Sequence, residues 1–197
     1  ILSPEGYGKD QYAQVENDLV IVTGAASNSG KMSTCLGQIY HESVNGIQSG
    51  YAKYETFPIW NLPLEHPVNL AYEAATADIG DYNVMDSYHS QAHGVNSVNY
   101  NRDVEAFKIV EEAASKIDGM LSYQSPTEMG INMAGMTITD DELVSVASLR
   151  EIDRRIGWYK QMMSNGGEKS WVEMCEKLKV KALNYVQEKG YDINLSI

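Results

Sequence analysis

Residues 19–40, LVIVTGAASNSGKMSTCLGQIY, decide how the chain is read, because a strand pattern, a small-residue loop and a helix pattern follow one another without a break. Leu19, Val20, Ile21 and Val22 form a continuous apolar run of branched side chains, which suits a strand covered on both faces, as in a parallel sheet. Gly24, Ala25, Ala26, Ser27, Asn28, Ser29 and Gly30 follow, residue types that let backbone approach a ligand closely or take positive φ at little cost. From Lys31 onward, Met32, Cys35, Leu36, Ile39 and Tyr40 recur at helical spacing. A loop of this kind feeding a helix makes an anion site. The first N–H groups of a helix have no internal partners and carry the positive end of its dipole, and Lys31 adds a full charge beside them.

Phosphate is the guest that fits, and the loop approaches the P-loop pattern G-x-x-x-x-G-K-[ST]. It departs from it twice. Ala25 stands where the first glycine belongs, with Gly24 one residue early, and Met32 takes the place of the hydroxyl that would hold Mg²⁺, with Ser33 and Thr34 next in line. The residues read as binding a nucleotide or phosphate are therefore Gly24, Ser27, Asn28, Ser29, Gly30, Lys31, Met32 and Ser33, with Lys31 offsetting the phosphate charge. The competing reading is a tight turn beside an exposed lysine.

Composition narrows the classes. At 197 residues, 43% hydrophobic and 21% charged, the chain can bury one good core or a core with an appendage. The net charge of −12 argues against a generic nucleic-acid or anionic-membrane surface, so a phosphate ligand needs a local positive pocket. The pattern contains neither a signal peptide nor a long apolar span. Two cysteines, Cys35 and Cys175, fit a reducing compartment better than a disulfide framework, so the cytoplasm is expected.

Taken in order, residues 1–16 read as a linker from preceding sequence, residues 17–139 as an α/β domain, and residues 140–197 as a helical extension. Residues 49–57, 82–86 and 97–100 are further strand candidates, and Pro67 suits the first turn of a short helix with a small face, Ala71, Ala74 and Ala75. Asn101 caps a helix whose face holds Val104, Phe107, Val110, Ala114 and Ile117. Thr139, Asp140, Asp141 and Glu142 form a capping box before an amphipathic helix over 143–163, and 171–189 reads as a last helix antiparallel to it, across the turn at Gly166 and Gly167. The expected fold class is α/β, a mostly parallel sheet with flanking helices and a P-loop-like strand-loop-helix, followed by the helical extension.

The longer motifs SGKMSTCLGQIYHE, GYAKYETFPIWNLPLEHPVNLAYEAATADI, VNYNRDVE, SPTEMGINMAG and DDE together resemble the uncharacterised bacterial family DUF1846, or UPF0371. The resemblance runs from about Glu5 to about Arg155. It implies an internal domain of a protein more than twice as long, with contacts to flanking domains, and it carries no established activity. Members of the family have more glycine before Ser-Gly-Lys, where this chain has Ala26 and Asn28.

Outside the loop, Asp86 ends a short apolar run, where a P-loop protein places its Mg²⁺-directing acid, and the alternative is an aspartate capping a turn. His89 and His93 stand four apart, a spacing that offers a metal site with Asp86 or Asp81, against two solvated histidines. Residues 125–135 are small enough for a ligand loop or for a plain connector. The reading that results is an enzyme domain of phosphoryl-transfer or hydrolase type, with Lys31 and Asp86 as its catalytic pair and Asp86 and His89 as metal candidates. The alternative is a noncatalytic assembly module, a homo-oligomer joined through residues 57–64 and the terminal helices.

Overall fold

A helix does begin at Lys31. In a computed structural model, which describes residues 1–25, 29–117 and 122–197, α1 spans Lys31–Val44 directly after Gly30, whose φ of 84° is left-handed. The elements that follow are β1 (Lys53–Tyr54), α2 (Pro67–Ala75), β2 (Asn83–Met85), α3 (Ser87–His93) and β3 (Val98–Tyr100). After these come α4 (Asn101–Ile117), β4 (Gly130–Ile131), α5 (Asp141–Met162) and α6 (Lys169–Glu188). The protein is mixed helix and sheet and mostly helical. No helix among the described residues is long and apolar enough to cross a membrane. The chain divides into two units, Ile1–Lys53 with Ala106–Gln124 and Tyr54–Glu105 with Ser125–Ile197.

In the first unit, α1 buries Leu36 and Ile39 against Ala114 and Ile117 of α4, ringed by Leu2, Tyr7, Met32, Tyr40, Tyr51 and Tyr123. Cys35 is half-buried at the edge. The opening residues, expected as a linker, thus contribute Leu2 and Tyr7 to this core. Residues 10–13 run along α1. The Gln38 side chain exchanges two hydrogen bonds with the Ala13 backbone, at 3.1 and 2.8 Å, and His41 Nε2 donates to the Asp10 carbonyl at 2.9 Å. Gly37 permits that approach, since a Cβ there would lie 3.1 Å from Asp10 Oδ2.

The expected strand at residues 19–23 is corrected. These residues form no strand, and Leu19 and Ile21 are 78% and 77% exposed. A strand is stable only when neighbours take up its N–H and C=O groups, and the described residues of this unit offer none beside it.

The second unit holds the helical core. Leu70, Ala71 and Ala74 of α2 pack on Leu149, Ile152, Ile156 and Tyr159 of α5 and on Val172, Cys175, Leu178 and Ala182 of α6. The alanines let the three helices approach closely. Asp140, one residue after the Thr139 that the capping-box pattern places first, caps α5 by accepting from the Leu143 N–H at 2.9 Å. Helices α5 and α6 are antiparallel, because Lys160 pairs with Glu176 at 2.9 Å while Asp153, nearer the start of α5, pairs with Lys179, further along α6. The sheet differs from the expectation. Strands β2 and β3 form an antiparallel pair with Val84 opposite Asn99, and β1 pairs with β4 in a second two-stranded ribbon. The β2–β3 pair is thus antiparallel where a mostly parallel sheet was expected.

Candidate functional site

The loop residues come first. Ala26, Ser27 and Asn28 lie outside the described residues, so the expectations for Ser27 and Asn28 are not addressed. Gly24, Ser29, Gly30, Lys31 and Ser33 are exposed, and Met32 is half-buried in the α1 core. Gly24, Ser29 and Lys31 are brought together: a Cβ on Gly24 would clash with Ser29 Oγ and lie 3.1 Å from Lys31 Cγ. Lys31 Nζ donates to Ser29 Oγ at 3.2 Å, which folds the ammonium back toward the start of its own helix. Gly30, the N-cap, supplies no side-chain cap to the first turn. Glycine is required there by the left-handed φ, and the consequence is a helix start whose donors are not capped by a hydroxyl or carboxylate of that residue.

Asp86 and His89 belong to the second unit, and Lys31 to the first. Asp86 directly follows β2 and is the N-cap of α3. It is completely buried, and three donors converge on its carboxylate. The His89 N–H reaches Oδ1 at 3.0 Å, and the Thr127 N–H and hydroxyl reach Oδ2 at 3.1 and 2.7 Å. Because the Thr127 hydroxyl spends its hydrogen on Asp86, its oxygen is left to accept, and Asn99 Nδ2 donates to it at 3.1 Å. Asp86 therefore ties the β2–α3 junction to the loop carrying Thr127. This is the work of a capping aspartate.

His89 makes the second tie. Its Nδ1 lies 2.9 Å from the Oγ of Ser125, a fully buried hydroxyl that also accepts from the Glu128 N–H at 3.0 Å. The hydroxyl keeps a second lone pair beside its own hydrogen, so the direction of its bond to His89 Nδ1 follows the tautomer of the ring. Burial lowers the His89 pKa, and the neighbouring His93 ring lowers it further against the pull of Asp86 and Glu128. His93 Nε2 faces Glu128 at 3.5 Å. No group of three or more His, Cys, Asp or Glu side chains among the described residues is arranged to hold a metal, and both Asp86 oxygens already accept hydrogen bonds.

Other polar and apolar residues of the second unit have structural partners. Arg102 pairs with the buried Asp81 at 3.0 Å. Within residues 57–64, expected to make subunit contacts, Pro58 and Ile59 are buried, and the Ile59 backbone is clamped by Asn69, which accepts from its N–H at 2.8 Å and donates to its carbonyl at 3.1 Å. His66 is 1% exposed and caps α2. Its Nδ1 accepts from the Val68 N–H at 3.2 Å, so Nε2 carries the hydrogen that goes to Asp141 Oδ1 at 2.8 Å. Sequence reasoning missed the Asp86–Thr127, His89–Ser125 and His66–Asp141 pairs. Their only local signals were the aspartate before α3 and the histidine before Pro67.

The family comparison agrees with the quoted motifs. The family described as "Domain of unknown function DUF1846, N-terminal" matches residues 1–186. A UPF0371 protein of Corynebacterium aurimucosum is 56% identical over 155 residues, which is 79% of this chain and 31% of that protein. A UPF0371 protein of Streptococcus pneumoniae (strain Hungary19A-6) is 49% identical over 180 residues, 91% of this chain and 36% of the relative. The chain spans about a third of the length of these curated relatives. With a family match along nearly its whole length and relatives near half identity, the chain belongs to the DUF1846 (UPF0371) family.

Proposed function

We propose that this region of the full-length protein binds a phosphate-bearing small molecule, a nucleotide or phosphorylated metabolite, at residues 24–33, in a strand-loop-helix arrangement resembling a P-loop on a parallel sheet. The observation that carries the reading is the start of α1. A left-handed Gly30 without a side-chain cap leads into Lys31, whose ammonium turns back to Ser29 at the same helix end. Helix-start donors, the helix dipole and one lysine together compensate a phosphate locally. Distant acids of a −12 protein are screened beyond about 8 Å at physiological salt.

Positioning and electrostatics would carry any chemistry, with Lys31 stabilising negative charge. Mg²⁺ has no dedicated side chain in this reading: Met32 stands in place of the P-loop hydroxyl, and Asp86 is committed to Thr127 and His89. The test is calorimetric titration of the full-length protein with inorganic phosphate, ATP and GTP, with and without Mg²⁺, for wild type and Lys31→Ala. Loss of a hydrogen bond from a charged donor weakens binding by about tenfold or more, with the circular dichroism spectrum unchanged. Absence of binding by the wild type to all three ligands refutes the reading.

A second reading, an assembly module, is favoured by one observation. Tyr54 and Ile131, on paired strands, are exposed together with the nearby Met133 and Met136. Unchanged ligand titrations for Lys31→Ala, together with a change of oligomeric state for Met136→Lys, would select it.

A further inference from the structure

Residues 19–22 combine a strong strand signal with no place to use it. Four branched apolar side chains stand in succession. Leu19, Val20 and Ile21 are exposed and Val22 is half-buried, and residues 19–23 make no hydrogen bond with any described residue. An unbroken apolar run, without the alternation of a half-solvated strand, is the composition of a strand covered on both faces and paired on both edges. Among its described residues the first unit offers no sheet to receive it, since strand structure there is limited to Lys53. The segment is nonetheless positioned between fixed points. The Gln38 side chain holds Ala13 beside α1 on one side, and α1 itself starts at Lys31 on the other.

We infer that residues 19–22 are an interaction surface for the rest of the same polypeptide, which supplies the neighbouring β-strands and so completes a sheet with this segment inside it. Two observations select this occupant. The chain spans 31% and 36% of its relatives' lengths, so about two thirds of each relative lies outside the matched part. Glu16 and Asp18 lead into the run on a chain of net charge −12, which disfavours a nucleic-acid or anionic-membrane surface. A second copy pairing edge to edge would cover one edge of the segment and leave the other open. The inference rests on the strand half of the proposed function and is independent of the ligand.

Hydrogen–deuterium exchange of the ligand-free, full-length protein tests it. Amides of residues 19–23 should exchange on the order of 10³-fold or more slowly than in an unstructured chain, as in a paired interior strand, and the protection should not depend on protein concentration. Exchange of these amides at the unstructured rate, while those of α5 and α6 remain protected, overturns the inference. Protection that disappears on dilution also overturns it and assigns the edge to a second copy. Because no phosphate is present, failure here is separable from failure of the ligand titration.

Discussion

Replacing Asp86 with asparagine separates a structural aspartate from a metal-binding one. The buried carboxylate accepts from the His89 N–H at 3.0 Å, the Thr127 N–H at 3.1 Å and the Thr127 hydroxyl at 2.7 Å. An asparagine keeps the shape but has one oxygen. Turned toward Thr127, it aims its NH₂ at the His89 N–H, so the α3 cap is lost at a cost of about 1 kcal/mol. The two remaining bonds lose their charge assistance and fall to roughly half strength, about 0.5–1.5 kcal/mol each. The sum is about 2–4 kcal/mol, a large part of a stability of about 5–15 kcal/mol. Urea denaturation of wild type and Asp86→Asn, followed by far-UV circular dichroism, reads this directly. A loss below about 0.5 kcal/mol, within the range of an ordinary surface substitution, refutes the buried network. A metal ligand behaves oppositely: the variant would keep its metal-free stability and lose metal-dependent binding.

The His66 contact makes stability depend on pH. Burial is the main cause of its lowered pKa and outweighs the opposing pull of Asp141. Between that lowered value and the ordinary 6.5, the unfolded chain binds more protons than the folded one, so stability rises with pH. The His66 contribution is fully present above pH 6.5 and is lost as the pH falls below it; His89, lowered as well, acts in the same direction. Replacing His66 with asparagine, which caps a helix without titrating there, should flatten stability between pH 6.5 and 5. Equal slopes in the two proteins would refute the assignment. Burial pushes the Cys175 thiol up to about 11, and its side chain is fully enclosed in the α2–α5–α6 core. Its alkylation at pH 8 should therefore run at least about 100-fold slower than that of a free thiol, and a rate near the free value would show that the core opens readily.

Several elements were legible because their causes are local. The start of α1 at Lys31, a capped helix start within residues 139–142, the small face of α2 and the apolar stripes of α5 and α6 arise from side chains within a turn or two of one another, and the burial of Ile152, Ile156 and Leu178 follows from that periodicity. Strand-forming tendency at 83–85 and 98–100 was likewise visible, but antiparallel pairing was not, because a strand's direction is set by its partner. The family, too, was readable in the motifs, since it is a property of residue order.

Tertiary structure alone decided the roles of the polar residues. Asp86 meets Thr127 41 positions away, His89 meets Ser125 36 away, and His66 meets Asp141 75 away. No periodicity spans such separations, and a buried polar group takes whatever partner the fold delivers, because leaving it unpaired costs more than the bond returns. The apolar run at 19–22 is the converse case. Its composition specifies a buried strand, but burial requires neighbours, and a sequence states the tendency without stating where the neighbours are.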